Sequence, residues 1–197
     1  VANTLIALSR HSKGSGFIPI AIEAGFGPGE ALPALEIPLK RNRKMQLRGR
    51  IDRVDAANIN GNMFVRIVDY KSSKKGIDLN EVYHGISLQM LTYLDVAVEN
   101  AEIWLHEGAS PAGVLYVHMH NPFIQSQKEM EDVELEDAVY KSYKMNGLLL
   151  DDPEVIMEMD DQISGFSKVI PVRMNKDGNL SKSSSKVVEP EQMRLLQ

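Results

Sequence analysis

The sequence predicts an α/β domain with a mixed central β-sheet flanked by helices, and three observations carry that prediction. Two runs of extended-favouring residues, Met45 to Ala56 and Met63 to Tyr70, are joined by Asn58-Ile59-Asn60-Gly61-Asn62. That link reads as a hairpin turn, because Asn and Gly tolerate the positive φ such turns require. Between Ile86 and His106 the residues Ile86, Leu88, Leu91, Leu94, Val98 and Ile103 recur at helical spacing with no internal proline. Gly113 to His120 is a buried strand closed by Asn121-Pro122. Helix, strands, helix, strand, helices is the order of a mixed α/β fold.

The remaining elements follow in chain order. Leu5, Ile6 and Leu8 mark a helix already under way at Val1, and Phe17 to Glu23 is an apolar strand that runs into the loop Gly25-Phe26-Gly27-Pro28-Gly29. Leu35 to Leu39 is a short strand, placed at an edge by Pro38, which cannot donate to a ladder. Lys40-Arg41-Asn42-Arg43-Lys44 is turn-like, and Val65, Ile67 and Val68 favour extended backbone. Glu131 to Tyr143 is a polar helix, residues 175–186 an exposed loop or short hairpin, and Glu191 to Gln197 a helix-like end. The 197 residues make a single domain, with a core over about 17–125 and a more polar region over about 126–197. Its helical, uncapped ends read as those of a piece cut from a longer protein.

Bulk composition narrows the chemistry. An apolar fraction of 43% and a charged fraction of 25% are ordinary for a globular protein, and no apolar run reaches membrane-spanning length. With 0 cysteines there are no disulfides or thiolate metal sites, a reducing compartment fits, and oxygen or imidazole remain as metal ligands. The net charge of −5 is unevenly spread. Residues 1–76 hold 13 Lys/Arg against 6 Asp/Glu, a balance of +7, and residues 77–197 hold 9 against 21, a balance of −12. A local positive field can hold phosphate while the rest of the surface faces solvent or a partner. No Gly-x-x-x-x-Gly-Lys-Ser/Thr occurs, so the chain lacks an ATP-motor loop of that kind.

The chemistry concentrates in Gly49-Arg50-Ile51-Asp52-Arg53-Val54-Asp55, Ile67-Val68-Asp69-Tyr70-Lys71-Ser72-Ser73, and Gln89 with Tyr93. On a strand Asp69 and Lys71 project together while Tyr70 faces away. The hairpin brings Asp52 toward Asp69, and two neighbouring carboxylates repel unless a cation joins them. Mg²⁺ wants hard oxygen ligands, which Asp52, Asp69, the Tyr70 carbonyl, waters and a substrate phosphate would supply. Such an ion polarises a scissile phosphate and activates water, and the Lys71 ammonium can orient that water or stabilise the transition state. Gln89 and Tyr93, at i and i+4, share a helix face that can lie across the sheet end. An Asp-x-Lys alone is weak, since chance supplies about one in a chain this long. The joint pattern is far rarer.

These motifs resemble the RecB-family branch of the PD-(D/E)XK nucleases. Phe17-Ile18-Pro19, Glu23-Ala24-Gly25-Phe26-Gly27 and Pro111-Ala112-Gly113-Val114-Leu115-Tyr116 further resemble the nuclease domains of AddB-type helicase–nuclease subunits. The resemblance spans most of residues 17–120 and weakens beyond about 125. It implies a restriction-endonuclease-like core and Mg²⁺-dependent cleavage of single-stranded DNA ends, with Mn²⁺ able to substitute. It further implies an exonuclease role in processing double-strand breaks for recombinational repair, an AddA-like helicase–nuclease partner, and a cytoplasmic setting. Asp52 and Asp69 carry over as metal ligands, Lys71 as the catalytic lysine, and Gln89 and Tyr93 as the helix motif. The family's upstream helical histidine is not assigned to His11, which lies in a glycine-bearing stretch without helical context; its match is expected before Val1. The cysteines that hold an iron–sulfur cluster in many such proteins are absent from this chain. A DNA-holding or docking module that does not cut, and a stand-alone RecB-like exonuclease, are the alternatives.

Other groups carry weaker signals. His118 and His120 share a strand face and could bind Zn²⁺ or Cu²⁺, although no third ligand is evident. Glu23 points either into the site or to solvent. Lys40, Arg41, Arg43 and Lys44 either grip a DNA backbone or simply form a charged hairpin tip. Arg50 and Arg53 flank Asp52 on opposite faces, where one reaches phosphate or both pair with acids. Met90, Leu91 and Leu94 are core.

Overall fold

A computed structural model of the chain describes residues 2–77, 84, 88–126, 129–183 and 185–195. Its strands are β1 (Ile18–Phe26), β2 (Leu35–Leu39), β3 (Arg43–Leu47), β4 (Gly49–Ile59), β5 (Asn62–Lys71), β6 (Ser110–His118), β7 (Asn146–Leu150) and β8 (Val187–Val188). Six of them form one sheet in the order β1-β4-β5-β6-β7-β8. Pairing is antiparallel at β1/β4, β4/β5 and β6/β7 and parallel at β5/β6 and β7/β8, so the sheet is mixed. A separate ribbon pairs β2 with β3. Helices are α1 (Ala2–Lys13), α2 (Gln89–Glu99), α3 (Ala101–Leu105), α4 (Asp132–Ser142), α5 (Pro153–Met159) and α6 (Pro190–Leu195).

The β4–β5 hairpin turns where its chemistry demands. Asn60 (φ 52°) and Gly61 (φ 83°) take the two left-handed positions, and the Asn58 side chain accepts from the Gly61 N–H at 3.0 Å. The ribbon turns likewise on Arg41 (φ 63°) and Asn42 (φ 58°). Arg43 and Lys44, read as turn residues, already belong to β3. Met45 to Ala56, read as one strand, is two. Gly49 pairs with Phe26, the last residue of β1, and beyond it the glycine-rich loop leaves residues 43–47 no partner in the main sheet. They pair with β2 instead, whose Pro38 sits opposite Lys44 on an edge, as expected.

The helix expected over 86–106 is divided at Asn100, whose side chain donates to the Val96 carbonyl at 2.8 Å and ends α2. Ile86 lies outside the described residues. His11 is a correction: it sits inside α1, near its end, because the helix runs on to Lys13 and the glycines begin only at Gly14. The C-terminal third supplies more apolar packing than its polar composition suggests. Leu149, Val155, Ile156, Met159, Ile170 and Met193 are all at 0% exposure and belong to the same buried cluster as Ile51, Ile67 and Leu94. Asp152 caps α5 by accepting from the Glu154 and Val155 N–H groups, ahead of Pro153 at the first helical position. Among the described residues no helix is long and apolar enough to cross a membrane.

This packing sets two expectations for stability. Leu149→Ala, which empties a site at 0% exposure in β7, should cost about 2–5 kcal/mol in urea unfolding. His11 is buried with both ring nitrogens unpartnered, and burial, with the Arg66 charge beyond it, pulls its pKa down from 6.5 to about 4. The unfolded chain therefore binds the proton first. Stability should fall as pH drops from about 6.5 toward 4. A His11→Leu variant should show a flatter stability–pH curve across that window.

Candidate active site

Strand alternation sorts the charged residues of β4 and β5 onto two faces. Arg53 pairs with Val68, Val54 with Ile67 and Asp55 with Arg66, so Arg53, Asp55, Arg66 and Tyr70 share one face and Asp52, Asp69 and Lys71 the other. On the first face, Asp55 is at 0% exposure and accepts from Arg53 at 2.5 and 2.9 Å and from Arg66 at 3.0 Å. Arg53 also donates to the Tyr70 hydroxyl at 3.2 Å, and the Arg66 guanidinium lies 4.7 Å from the Phe17 ring centre.

On the second face, continuing the hairpin register sets Asp52 opposite Asp69. The Asp52 carboxylate accepts from the Tyr70 N–H at 3.0 Å. The N–H and C=O of one strand residue point to the same edge, so the Tyr70 carbonyl also faces β4. The Lys71 carbonyl faces the other way, accepting from the Met119 N–H at 2.8 Å. Asp69 is buried, and its Oδ2 lies 2.6 Å from Lys71 Nζ. This close ion pair is the described polar partner of Oδ2. Burial pushes the Asp69 carboxyl upward, Lys71 pulls it back, and the Asp52 charge adds to the upward push.

Helix α2 covers this face, packing on β5 and β6. Gln89 Nε2 donates to the Tyr93 hydroxyl at 2.9 Å, as the i, i+4 spacing requires. Tyr93 meets Phe26 edge-on at 5.9 Å. Both rings press on Gly49, where a Cβ would stand 2.7 Å from Phe26 and 3.3 Å from Tyr93. The glycine of Gly-x-x-Asp-Arg-x-Asp is therefore a packing requirement of the helix above it.

Of the predicted residues, Asp52, Asp69, Tyr70 and Lys71 converge on one end of the β4–β5 pair, while Gln89 and Tyr93 bond to each other on the helix across it. Tyr116 was missed. It pairs with Asp69 in register, is buried, and its hydroxyl pKa is raised by burial and by the Asp69 and Tyr93 groups beside it. Its position at the end of Pro111-Ala112-Gly113-Val114-Leu115-Tyr116 was the available signal. Asp55 stood in the motif without a role; it is the buried partner of two arginines.

The weaker candidates also find places. Arg50 lies 3.9 Å from both Glu23 and Glu30, so Arg50 and Arg53 each pair with acids and Glu23 is an exposed rim residue. Lys40 to Lys44 form the tip of the exposed ribbon, with Lys44 paired to Glu36 at 2.5 Å. The His118 and His120 rings stack at 4.2 Å. Among the described residues no group of three His, Cys, Asp or Glu could hold a metal ion by itself. The Asp52–Asp69 pair nevertheless suits a hard divalent cation, since it brings two carboxylates, one of them buried, beside an edge-facing carbonyl.

Gly49→Ala should displace Tyr93 and break its bond to Gln89 while leaving the sheet intact. The expected readout is a Tyr93 side-chain shift by NMR at a stability cost of about 1–3 kcal/mol.

The chain is 54% identical to a Lysinibacillus sphaericus protein named as a subunit of an ATP-dependent helicase/deoxyribonuclease, over 100% of this chain and 17% of that protein. It is 46% identical to proteins of the same name from Bacillus cereus (strain G9842) and Bacillus anthracis, over 97% of this chain and 17% of each. The chain thus spans about a sixth of the length of these relatives. The family model described as the PD-(D/E)XK nuclease superfamily matches residues 2–170, and the chain belongs to that superfamily.

Proposed function

We propose that this chain is the nuclease domain of an AddB-type helicase–nuclease subunit, a Mg²⁺-dependent exonuclease acting on single-stranded DNA ends. The observation that carries the reading is the Asp69–Lys71 ion pair at 2.6 Å with Asp52 bonded beside it, in a chain that matches the nuclease superfamily. The relatives' names speak only of a helicase/deoxyribonuclease subunit; double-strand-break processing, an AddA-like partner and a cytoplasmic setting come with the motif resemblance and belong to this proposal.

In this reading Asp52, Asp69 and the Tyr70 carbonyl hold the divalent cation, with Mn²⁺ able to replace Mg²⁺. Such an ion, when bound, supplies Lewis acidity at the phosphate and lowers the pKa of a coordinated water. Lys71 directs its ammonium at the attacking water or at charge building on the phosphate oxygens. Gln89 holds the Tyr93 hydroxyl, so the pair presents one fixed polar edge to the substrate. Burial of Asp69 keeps bulk water from competing for its oxygens and makes the charged pair costly until a cation arrives.

A second reading, a DNA-holding or docking module that does not cut, draws on the donor set: two described carboxylates are fewer than many metal sites employ. Salt-dependent single-strand binding without cleavage in Mg²⁺ or Mn²⁺ is its signature.

In the full-length protein, Asp69→Ala and Lys71→Ala should each lower Mg²⁺-dependent single-strand cleavage by at least about 10²-fold with an unchanged melting profile. Undiminished cleavage by Asp69→Ala would sink the nuclease reading at this site.

A further inference from the structure

Past the end of β5 the chain carries two more lysines, Lys74 and Lys75, and then meets the start of β7. A cleft of about 310 Å³ opens there, walled by Lys74, Lys75, His118, His120, Lys144 and Asn146. None of its described lining residues is acidic. Tyr116 also lines it, and Tyr116 and His118 are the register partners of Asp69 and Lys71. The cleft and the candidate active site are therefore neighbours along the same two strands.

The cleft is built rather than incidental. Asn146 donates to the Lys75 carbonyl at 3.0 Å, and a Cβ on Gly76 would stand 2.6 Å from the same Asn146 nitrogen. That bond and that close approach pin the lysine-bearing loop to β7. On the opposite wall the stacked His118 and His120 rings are braced by a 3.3 Å contact from His118 Nε2 to the Ser72 carbonyl oxygen. The Tyr143 hydroxyl donates to the His120 carbonyl at 2.8 Å. Lys144 is half-buried, and burial pulls its pKa down. Lys74, Lys75 and Lys144 form no ion pair with any described residue. Three ammonium groups with no ion pair to a described residue, on one concave surface, repel cations and favour an anion with several acceptor oxygens.

We propose that this cleft is a second phosphate subsite. Lys74, Lys75, Lys144 and His118 take the backbone phosphate adjacent to the one cut beside Asp52 and Asp69 in single-stranded DNA. The proposal rests on the nuclease reading, and it adds a positioning role for residues which that reading leaves unused. A strand whose next phosphate is seated here is held along the β5–β6 direction, with its scissile linkage over Asp69 and Lys71.

The test uses the full-length protein and a single-stranded oligonucleotide, either all-phosphate or with one uncharged methylphosphonate linkage. Lys144→Met and the double variant Lys74→Ala/Lys75→Ala should each raise KM about 10-fold with kcat within about 2-fold, and Lys144→Arg should restore KM. In wild type the neutral linkage should raise KM for cleavage of its neighbour by a similar factor. In the variants it should add little, because protein and DNA then lose the same contact. Full additivity, or unchanged KM in the variants, overturns the subsite. Binding without divalent metal, followed by fluorescence anisotropy across salt concentrations, separates this from the nuclease reading. Each removed lysine should shrink the slope of log K against log salt by about 0.7. An unchanged slope overturns the subsite even where cleavage persists, and absent cleavage with a reduced slope overturns only the nuclease reading. Displacement by an acidic peptide but not by the oligonucleotide would assign the cleft to a protein partner and overturn the proposal.

Discussion

The buried carboxylate of Asp55 is the constraint on which the site depends. It takes hydrogen bonds from Arg53 on its own strand and from Arg66 directly across the hairpin. Strand side chains alternate, so a slip of one residue would turn every group on one strand to the wrong face. Asp55 and Arg66 would then part, leaving buried charges unpaired at a cost of about 3–5 kcal/mol. A buried ion pair is a weak source of net stability compared with an apolar core, and its use here is specificity of register. With that register set, Asp52 stands opposite Asp69.

The sheet therefore carries two charge triads back to back. One face holds Arg53 and Arg66 with Asp55; the other holds Asp52 and Asp69 with Lys71. The first has a surplus positive charge and the second a surplus negative one. The charge that faces Asp69 directly is that of Lys71, which opposes the upward push of burial and of Asp52.

Much of this was legible in the residues. The Asn58–Asn62 turn, the strand alternation around Asp69 and the i, i+4 pair Gln89–Tyr93 each rest on local geometry, which a sequence states directly. What stayed hidden was non-local. The split between β3 and β4 depends on where β1 stops pairing, and the helical setting of His11 on a helix that runs past the periodic apolar positions to Lys13. The role of Asp55 required knowing that Arg66 lies opposite. Tyr116 joins the site only because β6 runs parallel to β5, and a parallel partner cannot be inferred from either strand alone.

That parallel pairing sets an order of assembly. Antiparallel β4 and β5 close through a turn of a few residues, whereas β6 reaches β5 only after a crossover that contains α2 and α3. Loop closure of that length is slow relative to a hairpin, and α2 lacks one of the two strands it packs on until β6 is in place. The acid pair can thus form on the hairpin while Tyr93 and Tyr116 are still unpacked. On this topology the polar edge that would face a substrate is completed after the acid pair, once β6 and α2 have docked on β5.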